Sequence, residues 1–164
     1  MVRQIYKGNI TLIKLRKKHF PLFCRWWNDP ELRVWTSESK EIMTREKIEK
    51  ILRRHLENKN GFDFIIFANK KPIGHVLVQK KGKKKNFEIY IAIGEKKYWD
   101  KGIGTVVMKR SAGWFFRNFV NEKALYLEVL TKNARAIVCY EKVGFKKVRL
   151  IPRSKTLLMK IIRN

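Results

Sequence analysis

The apolar positions of this chain follow two rhythms. From Asn9 to Arg16 they alternate, with Ile10, Leu12 and, at the end, Leu15 spaced for a first strand. Residues 18–28 switch to helical spacing. Phe20, Phe23, Trp26 and Trp27 recur along one side, and Asn28-Asp29-Pro30 stops the run. Residues 31–43 keep neither period and read as irregular. Thr44 caps a second helix, with Ile48, Ile51, Leu52 and His55 inward and Asn60-Gly61 at its end. Phe62 to Ala68 is a dense aromatic and β-branched run, hence a strand. Asn69 to Pro72 is a tight turn, Ile73 to Gln79 the partner strand, and the lysine-rich 80–85 another turn. Asn86 to Ile93 completes three consecutive antiparallel strands. A helix runs from Gly102 to Asn118, with Ile103, Val106, Val107, Trp114 and Phe115 on one face. Ala124 to Leu130 is a strand. Asn133 caps a shorter helix, Ala134 to Val143, which Gly144 ends with Phe145 folded back over it. Phe145 to Leu150 and Thr156 to Ile162 close the chain as strands.

The order β-α-α-β-β-β-α-β-α-β-β predicts an α+β fold with one mixed sheet, in a single domain over residues 1–164. The strands ending at Ile93 and Leu130 are joined by a helix, so they should be parallel. Parallel neighbours that part beyond a helix start leave a cleft, and ligands of open sheets favour such places.

The stretch Ile89 to Thr105 leads into that cleft. A short apolar run stops at Gly94, a charged loop follows, and Gly102-Ile103-Gly104-Thr105 opens the helix. The first N–H groups of a helix have no partners and face a favourable dipole, so this arrangement suits an anion. It is not a Walker A loop, because Thr105 and Val106 follow the last glycine and Lys101 precedes both. Nor is it a dinucleotide fingerprint, whose third glycine would fall at Val107. Taken alone, Gly102-x-Gly104 fits a phosphate loop and a plain strand–helix turn equally.

Composition narrows the setting. Hydrophobic residues make up 45% of the 164, with ten Phe, five Trp and five Tyr, enough for one sizeable core. No apolar stretch approaches the roughly 20 residues of a membrane span, and MVRQIYKGNI carries no signal-peptide core. Cys24 and Cys139 read as free buried thiols of a reducing compartment, and His19, His55 and His75 lack metal-ligand spacing. The expectation is a cytoplasmic, metal-free protein without membrane contact, monomeric or homodimeric. Thirty-nine Lys and Arg against fourteen Asp and Glu leave a net charge of +25. That attracts polyanions such as RNA, ribosomes or a phosphorylated cofactor. The alternative is a solvated lysine-rich surface, and the cluster Lys80 to Lys85 lacks the interleaved aromatics of an RNA face.

Two motifs, in order and on the expected elements, resemble the GCN5-related N-acetyltransferases. Lys101-Gly102-Ile103-Gly104-Thr105 is similar to that family's Gln/Arg-x-x-Gly-x-Gly/Ala loop, with Trp99 at the Gln/Arg place. Asn133 to Phe145 is similar to its N-x-x-A-x-x-x-Y-x-K-x-G-F segment at every named position. Leu15-Arg16 and Trp26 to Pro30 look like the ribosomal-protein-alanine and aminoglycoside branch. The resemblance spans roughly residues 8–162. It implies a mostly antiparallel sheet of about seven strands, flanked by about four helices. It also implies acetyl transfer from acetyl-CoA to a primary amine, either a protein N-terminus or a small molecule.

Each implied role has a physical reading. Pyrophosphate would sit on the N–H groups from Lys101 to Thr105, through Gly102, Ile103 and Gly104, with Lys96, Lys97 and Lys101 adding charge. Trp99, Asp100, Asn133 and Lys142 complete the implied cofactor contacts. The amide-rich pantetheine arm can pair with the backbone of Ile91, Ala92 and Ile93, where an N–H can also stabilise an oxyanion. Tyr140 is the candidate general acid for the departing thiolate. Glu88 is the candidate base acting through water, with Glu128 a weaker one. Cys139 has no histidine signature, so a covalent acyl-enzyme is not expected. The acceptor should meet Trp26, Trp27, Trp35 and the loop 31–43, where Glu31, Glu38 and Glu41 can supply acidity for an aminoglycoside or polyamine. Two further readings compete: a basic RNA-binding module, and an acetyl-CoA sensor without turnover.

Overall fold

The structure, a computed structural model, describes residues 8–37, 41–59, 61–81 and 86–163. Glu38, Asn60 and the lysines 83–85 lie outside the described residues. Seven strands form one sheet in the order β1-β2-β3-β4-β5-β7-β6. They are β1 Ile10–Lys14, β2 Phe62–Ala68, β3 Lys71–Lys81, β4 Asn86–Ile93, β5 Ala124–Leu130, β6 Lys146–Ile151 and β7 Thr156–Ile162. Every neighbouring pair is antiparallel except β4 with β5. The α+β class, the mixed sheet and the single parallel pair are as expected.

Five helices pack on the sheet among the described residues: α1 Phe20–Trp27, α2 Pro30–Thr36, α3 Arg45–Glu57, α4 Ile103–Asn118 and α5 Ala134–Val143. The extra helix, α2, occupies the stretch read as irregular. Asp29-Pro30 does end α1, but it also starts α2. The Asp29 carboxylate accepts hydrogen bonds from the N–H groups of Glu31 and Leu32, and Pro30 at the first helical position needs no donor. Seven residues carry too little periodicity for the pattern to show. Leu32 and Val34 also part company, one buried and the other half exposed. Thr44 caps α3 through the Lys47 N–H at 3.2 Å, as predicted.

Each face of the sheet has its own core. Phe87, Ile89, Leu125, Leu127 and Met159 pack with Ile103, Val107, Met108 and Phe115 of α4, and α5 leans on the same face. Val106 was expected on that inner face, yet it is 40% exposed. On the other face, Ile65, Leu77 and Ala92 pack against Phe23 and Trp26 of α1, Leu32 of α2, and Ile48 and Leu52 of α3. Close approach is strict at one place. A Cβ on Gly94 would lie 2.2 Å from the Trp26 indole, so only glycine lets β4 end there.

The central event is the parting of β4 and β5. Their register holds only Glu88 opposite Tyr126. Beyond it, β4 continues to Ile93 paired with β3 alone. A gap opens where the two strands cease to pair.

Candidate active site

Two cavities meet at this gap. The first, of about 410 Å³, is lined by Ile91 to Ile93, by the loop and helix start from Tyr98 to Thr105, and by one wall of α5 with Tyr140. The second, of about 500 Å³, lies on the face covered by α1–α3 and is lined by Trp27, Glu88, Tyr90, Glu128 and residues of α3. Thr36, the last residue of α2, lines both. Its hydroxyl donates to the Leu32 carbonyl at 3.1 Å and lies near enough to Tyr90 to oppose the upward push that burial gives that phenol.

The helix start is shaped for an anion. Gly102 takes φ +77°, the left-handed region that side chains resist, and a Cβ there would meet nothing within 4 Å. No side chain caps α4, so its first N–H groups face the first cavity without competition from their own chain. Asp100 also takes a left-handed φ, +59°. Trp99 donates its indole N–H to the Ile93 carbonyl at 2.7 Å. It therefore ties the loop to the end of β4, and that carbonyl is already used.

The predicted residues divide sharply. Ile91, Ala92, Ile93, Trp99, Asp100, Lys101, Gly102, Ile103, Gly104, Thr105, Asn133, Tyr140 and Lys142 all line the first cavity. Lys97 does not; its ammonium lies over the Tyr98 ring, 5.4 Å from the centroid. Lys96 is bound to Glu31 at 2.9 Å and Asp29 at 3.4 Å, so its charge goes to α2 rather than to a phosphate. Of the three tryptophans expected at the acceptor, only Trp27 lines the second cavity. Trp26 is 1% exposed and gives its N–H to Glu95 at 3.0 Å, which makes it a core residue. Trp35 stands in the first cavity, and its carbonyl accepts from Asn133 at 3.1 Å. Helical spacing sets which side a residue faces but not its depth, so it could not separate Trp26 from Trp27, and Trp35 lay in a stretch with no period to orient it. Asn133 also caps α5 through the Ala136 N–H, so its amide is used at both ends.

Strand parity, open in the sequence, is settled for the carboxylates. Glu88 and Glu128 share the second cavity, and Glu128 accepts from the Thr156 hydroxyl at 3.1 Å. Glu41 lies there too, 3.8 Å from Lys47.

The titrating groups fit their surroundings. Burial, helped by the neighbouring Cys139 and Tyr90, pushes the Tyr140 phenol well above its ordinary value, so it holds its proton at neutral pH. Burial likewise raises the Cys139 thiol, which lies 3.3 Å from the Thr105 hydroxyl. A protonated thiol is a poor nucleophile. Beneath the second cavity, His75 is fully buried against Trp26, Trp27 and Tyr90 and accepts the Trp27 N–H at 3.0 Å. Burial first, then the nearby His55, lowers its pKa to about 3.

A cleft beside a splayed parallel pair, with an open helix start on one side and a protonated phenol near it, is chemically suited to group transfer. Comparison with known proteins agrees. The profile of the acetyltransferase (GNAT) domain matches residues 9–146. The chain belongs to the GNAT acetyltransferase family. It is 38% identical over 68 residues to an N-alpha-acetyltransferase of Saccharolobus solfataricus, a match covering 42% of this chain and 40% of that protein. A domain from Methanocaldococcus jannaschii superposes with a TM-score of 0.82 at 24% identity, over 96% of this chain and 100% of that one. Spermidine N-acetyltransferase from Vibrio cholerae, solved with CoA and spermine, gives 0.79 at 20% identity, over 93% and 95%. At these identities the two structures speak for the fold.

Proposed function

We propose that this chain is an N-acetyltransferase moving an acetyl group from acetyl-CoA to a primary amine, both bound at once. The observation that carries this is the pair of cavities that share Thr36 as a wall, beside the parting of β4 and β5. The first cavity suits the cofactor. It offers bare N–H groups, Lys101 and Lys142 for phosphates, and the backbone of Ile91 to Ile93 for amides. The second suits the acceptor.

Acetyl-CoA supplies an activated acyl group with a thiolate as leaving group. The chain's own residues do the proton work. An ammonium of pKa about 10.4 must lose a proton before its nitrogen can attack. Glu88, in the acceptor cavity, can take that proton through water. Tyr140, whose phenol burial keeps protonated, can give one to the departing sulfur. One C–N bond forms and one C–S bond breaks; the nitrogen's second proton returns to the Tyr140 oxygen, and the first leaves through Glu88 to solvent. Cys139, a half-buried thiol whose pKa is raised, has no part in the transfer.

We rank a protein N-terminus or a small-molecule amine first as acceptor, and the partial match to an N-alpha-acetyltransferase supports that order. Glu41, Glu88 and Glu128 in the acceptor cavity favour a second reading, a cationic acceptor such as a polyamine or aminoglycoside. The similarity to a spermidine acetyltransferase supports it. The free thiols of Cys24 and Cys139 support a cytoplasmic setting, and the +25 charge supports association with a ribosome or RNA. Calorimetry with acetyl-CoA, followed by thiol-release assays over peptides, polyamines and aminoglycosides, tests the proposal. Binding and turnover with one amine class are expected. No binding of acetyl-CoA would sink it, and binding without turnover would leave only a sensor.

A further inference from the structure

Of the cations in the loop that should receive the pyrophosphate, only Lys101 lines the cavity. Lys96 is committed to Asp29 and Glu31, Lys97 lies outside the cavity, and position 99 is an indole whose N–H is given to Ile93. Yet a guanidinium stands on that indole. Arg135, two residues past the cap of α5, lies 4.5 Å from the centre of the Trp99 ring and 5.8 Å from that of Trp35. Its Nη1 donates to Asp100 at 3.3 Å. Arg135, Asp100, Lys101 and the helix start from Gly102 to Thr105 all line the same cavity.

We propose that Arg135 is a ligand of the coenzyme A pyrophosphate, replacing in space the positive charge that Trp99 denies to the loop in sequence. The assignment rests on the acetyl-CoA reading above. Stacking on an aromatic face fixes the plane of a guanidinium while leaving its N–H edge available. That edge carries five donors in a fork that matches two phosphate oxygens, and one donor is occupied by Asp100. Asp100 therefore stands in for the phosphate: its carboxylate holds Arg135 at the cavity wall and is exchanged for the stronger, doubly charged partner. The pair is accessible enough for this exchange, with side chains 38% and 55% exposed. Trp99 becomes a platform rather than a gap in the motif.

The exchange sets opposite signs for two substitutions. Arg135→Gln removes the ligand. Asp100→Asn removes the competitor, and asparagine tolerates the left-handed backbone that Asp100 adopts. Both positions are on the surface, and thermal melts should show both variants folded.

The test is calorimetry on the full chain with coenzyme A, with dephospho-coenzyme A, which lacks the ribose 3′-phosphate, and with pantetheine, which has no phosphate. Arg135→Gln should weaken coenzyme A and dephospho-coenzyme A alike, by about tenfold or more, as for a charge-assisted hydrogen-bonded pair. Pantetheine affinity should not change. Arg135→Lys should recover part of the loss, because it keeps the charge but not the fork. Asp100→Asn should tighten coenzyme A severalfold. Tryptophan emission should change on coenzyme A binding to wild type, as the cation leaves or shifts over Trp99 and Trp35, and should change less in Arg135→Gln. If Asp100→Asn weakens coenzyme A as Arg135→Gln does, the pair only braces the loop and the proposal fails. A loss seen with coenzyme A but not with dephospho-coenzyme A would move Arg135 to the 3′-phosphate and overturn the pyrophosphate assignment. Equal affinities of wild type and Arg135→Gln overturn this assignment alone. A wild type that binds none of the three overturns the acetyl-CoA reading together with it.

Discussion

Tyr140 and Glu88 stand on opposite sides of one gap, and their roles separate in measurable ways. Tyr140→Phe keeps the ring and removes the proton. Turnover should fall about 100-fold or more while acetyl-CoA affinity stays within about twofold. Unchanged turnover would take Tyr140 out of the acid role. Glu88→Gln should lower kcat/KM about tenfold or more, a loss that Glu128→Gln should not reproduce if Glu88 is the base. His75 makes a prediction about stability. Its folded pKa, about 3, lies below the ordinary 6.5, so the unfolded chain binds its proton first. Stability is therefore full above roughly pH 6.5 and is lost as pH falls towards 3. Between pH 7.5 and pH 5 the loss should be about 2 kcal/mol, from roughly 1.5 pH units at 1.36 kcal/mol each. Urea titrations of wild type and His75→Phe at the two pH values check it; the variant should lose that share of the slope. Tyr140 was legible in the sequence because its motif fixed its neighbours. Arg135 sat inside the same motif and was passed over, since its meaning comes from a ring 36 positions earlier in the chain.

Most of the elements were legible because they are long enough to show a period or carry a cap. The three central strands, α3, α4 and α5 all fall where the pattern put them, within a few residues. The exception, α2, is seven residues long and buries only Leu32. Its signal was chemical rather than periodic: an aspartate, a proline and a glutamate in the order that begins a helix. Burial pushes the Asp29 carboxyl up, but the N–H groups of Leu32 and Glu31 and the Lys96 charge outweigh it and hold it low. Asp29→Ala should then cost about 1 kcal/mol and loosen α2, read as a lower urea midpoint and a higher KM for the acceptor. The end of β4 is less forgiving. Gly94→Ala places a methyl group 2.2 Å from the Trp26 ring, and the overpacking should cost about 1–3 kcal/mol in the same titration.

For the whole molecule, the sheet is covered unequally. α4 and α5 pack on one face, whereas α1–α3 cover the other over β1 to β4 and reach β5 only through α2. Beyond β5 that second face carries Lys160 and Arg149, both exposed. With a net charge of +25, the folded chain repels itself. Moderate salt should screen this and raise the melting temperature, the reverse of what a protein held by surface ion pairs would show. A scan from 50 to 500 mM NaCl checks the sign. The fold class was readable from element order alone. The depth of each side chain was not, because depth depends on which elements stack above which, and a period carries no such information.

The short helix α2 has a consequence beyond its size. One turn of it reaches both chambers, through Thr36 shared between them and through Trp35, whose carbonyl is held by Asn133 at the foot of α5. On the proposed reading, the two substrates are neighbours across a single party wall. A lineage that retunes this wall for a new amine also disturbs the seat of its cofactor, so acceptor preference and cofactor affinity should drift together in descendants of this chain rather than one at a time.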